Sequence, residues 1–146
     1  MSTGPDPRPA LPAPEAALAA LERVRRHFRD PSYRFAVGPG WLPLVLRCPE
    51  AVVAEFPDYE LLAVKQKWAT LAFQARPRRR TSGGDWTPAE STRLGELVER
   101  FRRLSARVCE RCGAAGTLRE RRPVERTLCD RCDAEMGTDR RLRPRT

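Results

Sequence analysis

Apolar residues recur at helical spacing in the first third of the chain. Leu18, Leu21, Val24 and Phe28 stand three or four residues apart, so a helix over 14–29 lines them up as one stripe. Asp30-Pro31 ends it, because the residue before a proline is biased away from the helical region. The face carrying Arg23, Arg25, Arg26 and Arg29 reads as solvated surface. A Gly38-Pro39-Gly40 turn leads to Trp41, and apolar residues 41–56, punctuated by Pro43 and Pro49, predict two short helices or one broken helix. Pro57-Asp58 turns the chain.

The period then drops to two. Leu62 and Val64, and again Leu71 and Phe73, alternate with exposed partners, which predicts two strands over 60–75 with a turn at Gln66-Lys67. A helix competes there, since Ala, Leu, Lys and Gln also favour helix. Residues 76–85 are a loop by composition. Thr87-Pro88-Ala89-Glu90 is a helix start, with a capping threonine, proline in the first turn and a glutamate closing the capping box. Leu94, Leu97, Val98, Phe101, Leu104 and Val108 extend one stripe to about Arg107.

That helix runs into the strongest motif in the chain. Cys109-x-x-Cys112 and Cys129-x-x-Cys132 are separated by sixteen residues. A two-residue loop lets both sulfurs of a pair reach one metal, and two pairs complete a tetrahedron. The spacing predicts one structural Zn²⁺ held by Cys109, Cys112, Cys129 and Cys132, with no open position for catalysis. Gly113 suits the positive φ that turns amides toward the sulfurs. Residues 116–128 suit a hairpin turning near Pro123, and Asp130–Met136 a short helix. Two disulfides would need an oxidising compartment, and no export signal is evident. Cys48 reads as a buried small hydrophobe, and His27, the one histidine, as a partly buried or surface residue.

Composition changes the picture in two places. Five prolines in the first fourteen residues make 1–13 a disordered arm. The net charge of +9 is concentrated in a run with Arg76, Arg78, Arg79 and Arg80, and in the 138–146 tail. Four thiolates and one Zn²⁺ bring it to about +7. Arginine supplies all but two of the 28 basic side chains, a bias expected of a GC-rich genome. Both lysines, Lys65 and Lys67, fall at the predicted turn and flank Trp68 together with Arg76. An aromatic among cations can stack a base and hold a phosphate, although cross-strand packing under lysine stems explains it as well. No apolar run approaches the roughly 20 residues of a membrane span. No nucleophile triad, carboxylate pair or phosphate loop stands out, so the sequence predicts a non-catalytic cytoplasmic protein with no evident small-molecule substrate.

The finger, knuckle then hairpin then a cysteine pair opening a helix, resembles a GATA-type treble clef, without the tryptophan of the GATA hairpin. A wider resemblance covers about two-thirds of the chain, through Gly40-Trp41-Leu42-Pro43-Leu44-Val45, Leu62-Ala63-Val64-Lys65-Gln66-Lys67-Trp68 to Phe73, and Ser105 to Cys132. In this it is similar to a family of small uncharacterised bacterial and phage proteins. The family has an aromatic and two glycines where this chain has Trp68-Ala69-Thr70. The resemblance implies architecture and brings no established activity. The expectation is an α+β protein: an α+β region over 14–85 with a hairpin, then over 86–137 a long helix and a four-cysteine treble-clef zinc finger. Its partner is a nucleic acid bound through charge, by Lys65, Lys67, Trp68, Arg76, Arg78, Arg79, Arg80, Arg119, Arg121 and Arg122. The alternative is a protein partner gripped by the finger and the aromatic hairpin.

Overall fold

The computed structural model describes residues 14–77, 86–122 and 124–137. The proline-rich arm, the arginines at 78–80, Pro123 of the predicted finger turn and the basic tail lie outside the described residues. Along the chain stand α1 (Pro14–Arg25), a 3₁₀ turn (Pro39–Trp41), α2 (Leu42–Glu55), β1 (Glu60–Lys67), β2 (Thr70–Arg76), α3 (Pro88–Ser105), β3 (Thr117–Arg119), β4 (Arg126–Leu128) and α4 (Asp130–Met136). The fold is α+β, with two antiparallel hairpins, β1–β2 and β3–β4. No helix among the described residues is long and apolar enough to cross a membrane.

The predicted helix starts and types hold, and the differences have tertiary causes. α1 ends at Arg25, four residues early, because the next segment pairs with β1: Leu61 donates to the His27 carbonyl at 2.8 Å and Arg29 donates to that of Leu61 at 2.9 Å. Phe28 is therefore buried by a strand-like bridge rather than by a helical stripe. Leu18, further back on α1, is 65% exposed. The region 41–56 is one helix after its 3₁₀ turn, with Pro49 inside it and buried. An interior proline costs an isolated helix about 3 kcal/mol, so packing holds α2 together across it.

The β1–β2 hairpin departs from simple alternation. Its register shifts between Leu61 and Ala63, and a bulge reverses which side chains face inward. Leu61 and Val64 are fully buried, whereas Leu62, expected inside, is 38% exposed. Lys67 pairs with Thr70, so the turn is Trp68-Ala69 rather than Gln66-Lys67. Both turn residues have positive φ, 54° and 62°, the backbone of the type I′ turn whose twist matches the strands.

Helix α3 begins with the expected capping box of Thr87 and Glu90 and ends at Ser105. Leu94, Phe101 and Val108 join Trp41, Leu44, Val45, Val52, Tyr59, Leu71 and Phe73 in one apolar core. Cys48 is buried in that core, and burial pushes its thiol well above the ordinary range. His27 stacks on Tyr59 at 3.9 Å. Ser105, fully buried, accepts from the Leu71 amide at 2.8 Å and donates to the Arg102 carbonyl. Its hydroxyl thus joins the end of α3 to the start of β2. Replacing Ser105 by alanine leaves a buried amide unpaired and should destabilise the protein by about 1–3 kcal/mol. Urea unfolding monitored by far-UV circular dichroism measures it, with a lowered midpoint at unchanged slope as the expected outcome.

Candidate metal centre

Four sulfurs converge at the junction of α3, the second hairpin and α4. The ligand atoms of Cys109, Cys112, Cys129 and Cys132 all lie within 4.8 Å of one another. Cys112 Sγ and Cys129 Sγ are 3.7 Å apart. A tetrahedron with metal–sulfur bonds of about 2.3 Å has edges of about 3.8 Å, so the set can hold one metal ion. Cys109 and Cys132 are fully buried, and Cys112 and Cys129 partly so.

Local geometry prepares the sulfurs for negative charge. Gly113 has φ +83°, the conformation expected of it, and its amide donates to the Cys109 carbonyl at 2.9 Å. The chain then curls so that the Ala114 amide donates to Cys112 Sγ at 3.4 Å. In the second pair Cys129 caps α4, its sulfur accepting from the Cys132 amide at 3.4 Å. Burial raises the Cys129 thiol, but that amide and the neighbouring thiols outweigh it and bring it down to about 7. Burial instead pushes Cys112 and Cys132 up. β3 and β4 pair as Thr117–Leu128, Leu118–Thr127 and Arg119–Arg126. Leu128 and Met136 pack around the cysteines as a small separate core.

That core is joined to the larger one by main chain. Gly40 donates to the Glu110 carbonyl at 2.7 Å. A Cβ at Gly40 would overlap the Cys109 carbonyl oxygen and come within 2.5 Å of the Gly113 nitrogen. Trp41 Nε1 donates to the Val108 carbonyl at 2.8 Å. The Glu110 side chain, buried, accepts from the Gly38 amide at 3.2 Å and pairs with Arg126 at 2.9 Å. Burial raises its carboxyl, while Arg126 and the Gly38 amide pull the other way. Further out, Thr127 donates to the Ala69 carbonyl at 2.8 Å and Gln66 to the Glu125 carbonyl at 2.7 Å. The finger thus holds both the Gly-Trp turn and the first hairpin. Sequence reasoning named Gly40-Trp41 and missed Glu110 and Thr127. An acid between two cysteines reads as solvated until its tertiary neighbours are known.

Among the described residues, those expected to contact nucleic acid do not form one surface. Lys65 is half-buried and Lys67 exposed, on the same face of β1 by strand alternation. Trp68 is 76% exposed. Its ring does not pack across the strands; it stands at the turn. Arg76 pairs with Glu60 at 3.2 Å and lies over the Trp86 ring. Two of the three finger arginines are directed inward. Arg119 reaches the Leu128 carbonyl and Asp130, and Arg122 holds Asp133 at 2.7 Å with its side chain 9% exposed. Arg121 alone of the three is exposed. Elsewhere, α1 and α2 enclose an apolar groove of about 190 Å³ floored by Val24, Leu46, Pro49 and Tyr59, with Arg23 and Arg26 at its rim.

The Gly40 contact gives a paired test. Gly40→Ala forces two backbones apart and should cost about 3 kcal/mol or more, with weaker metal retention although every cysteine remains. Gly95→Ala, in exposed α3 with nothing within 4 Å of its Cβ, should instead stabilise by about 0.8–1 kcal/mol. Denaturant midpoints and metal competition against a chromophoric chelator read both. No family model, curated protein or solved structure matches this chain.

Proposed function

We propose that the chain is a non-catalytic zinc protein whose metal is structural and whose partner is nucleic acid, bound mainly through charge. The observation that carries the metal assignment is the convergence of four cysteine sulfurs within 4.8 Å. Thiolate donors in a tetrahedral set favour Zn²⁺ among the common divalent ions. Four protein ligands leave no position for water or substrate, so the ion would supply folding energy rather than chemistry. The finger's own core is small, and its burial is completed by the Gly-Trp turn and the first hairpin.

The nucleic-acid reading rests on the +9 charge and on an exposed tryptophan next to a lysine at the first hairpin's turn. The inward pairing of Arg119 and Arg122 limits the finger's share of phosphate contacts. What remains for them is Lys65, Lys67, Arg121 and the run at 78–80. A protein partner gripped by the finger and the aromatic hairpin is the second reading. Its support is the exposed apolar surface of Leu118 and Val124, 46% and 40% accessible, on the finger hairpin.

Protein purified without chelator should carry one zinc per chain by elemental analysis. Serine at any one of Cys109, Cys112, Cys129 or Cys132 should abolish stoichiometric retention. Full occupancy by another metal, or none, would reject the zinc assignment. Titration with labelled duplex and single strands should show micromolar or weaker affinity at physiological salt, falling steeply as salt rises. Replacing Arg78, Arg79 and Arg80 together by alanine should flatten the log–log salt slope by about two to three units. Absence of binding at low salt would reject the nucleic-acid reading in favour of the protein partner.

A further inference from the structure

The turn at Trp68-Ala69 combines strain, outside support and an idle side chain. Two L-residues in left-handed backbone cost about 1–2 kcal/mol each, and asparagine and glycine are the residues that occupy such a turn without strain. Backbone strain that persists needs surroundings that over-determine it. Here they are present. Thr127 of β4 donates to the Ala69 carbonyl at 2.8 Å, buried. Thr70 Oγ1 donates to the Lys67 carbonyl at 2.9 Å. Ser105 of α3 takes the Leu71 amide, and Gln66 donates to the Glu125 carbonyl just before β4. Every one of these bonds fixes the hairpin on either side of the indole. The indole itself makes no hydrogen bond or ring contact among the described residues and is the most exposed large hydrophobic side chain there.

Two of the four bonds come from the finger, and Thr127 is itself tied to the metal knuckle, its carbonyl accepting from the Glu110 amide at 3.0 Å. A cysteine finger of this size depends on its ion to fold. An ion bound by the four cysteines would therefore stand behind the shape of a turn in a different hairpin.

We infer that the Trp68 turn is a base-stacking tip for single-stranded nucleic acid, held in its binding shape by the metal-loaded finger. The inference rests on the nucleic-acid reading above and adds the strand class and the finger's part in holding the turn. A tryptophan at the centre of a protein interface is ringed by apolar neighbours that exclude water. The chain neighbours of Trp68 are instead the exposed Lys67, half-buried Gln66 and Thr70, and Ala69, whose methyl group is buried away from the indole's exposed surface. An unpaired base offers a flat apolar face with a phosphate attached, which suits one aromatic and one cation side by side. Lys65 and Lys67 share a face about 6.6–6.8 Å apart along the strand, close to the separation of successive phosphates in an extended single strand. In a duplex the base faces are already stacked, so the indole gains nothing there.

The test uses the full zinc-loaded chain, a fluorescein-labelled oligothymidylate and a duplex of equal phosphate number, read by anisotropy at low salt. The single strand should bind more tightly and quench tryptophan emission. Trp68→Ala should weaken single-strand binding roughly tenfold, the worth of one stacked base, with the salt slope and duplex affinity unchanged. Trp68→Phe should keep most of the affinity. Thr127→Val, which retains every cysteine, should keep one zinc per chain and lose part of the single-strand preference. If Trp68→Ala binds the single strand like the wild type while both nucleic acids still bind, the stacking tip is wrong and the charge reading stands. If neither nucleic acid binds, the reading beneath it fails as well. Full single-strand preference in zinc-loaded Thr127→Val would overturn the finger's part in holding the turn.

Discussion

The peptide plane of Gly40 lies against the Cys109–Gly113 turn with no room for a methyl group between them, and the two halves of the molecule meet through that contact. A metal knuckle directs its amides to sulfur and to its own turn, which leaves carbonyls facing outward. The Gly38–Trp41 segment answers them: the Gly40 amide takes the Glu110 carbonyl and the Trp41 indole takes that of Val108. Trp41 then lies in the apolar core, fully buried. One residue without a side chain is thus followed by the largest type of side chain in the sequence, the first permitting backbone approach and the second filling the space around it.

Charge inside this joint is balanced rather than avoided. A buried carboxylate is costly unless it is paired and hydrogen-bonded, and Glu110 has the Arg126 guanidinium on one oxygen and the Gly38 amide on the other. The same pairing runs through the finger, where Arg119 and Arg122 hold Asp130 and Asp133 and Arg111 holds Glu135. A count of basic residues in this segment overstates the field it presents to solvent, because much of the charge is cancelled within a few ångströms.

The first hairpin illustrates how a distant element licenses local strain. Its turn carries a bulky aromatic where a flexible residue would be unstrained, and the compensating bonds come from α3 and from β4, 34 and 58 residues away in sequence. Ser105 and Thr127 supply them, and each is buried at its point of contact. The hairpin, the long helix and the finger are consequently parts of one arrangement, even though the sulfur core and the apolar core are separate clusters.

Local chemistry was enough to place α3, with its Thr87–Glu90 capping box, and the four cysteines, whose paired spacing is a property of the chain alone. It also placed Gly113, since a positive φ beside a metal knuckle is a local demand, and the Asp130–Met136 helix. The sequence did not determine where α1 stops, because β1 captures residues 27–29, or which of Leu61 and Leu62 faces inward, because a bulge resets the alternation. The turn at Trp68-Ala69 was equally hidden: neither residue prefers that backbone, and only bonds from distant elements hold it there. Glu110 and Thr127 look like surface polar residues in the sequence, and became structural when the fold buried them against Gly38 and Ala69. Spacing and capping are read within a few residues, whereas burial of a polar group depends on what the rest of the chain brings to it.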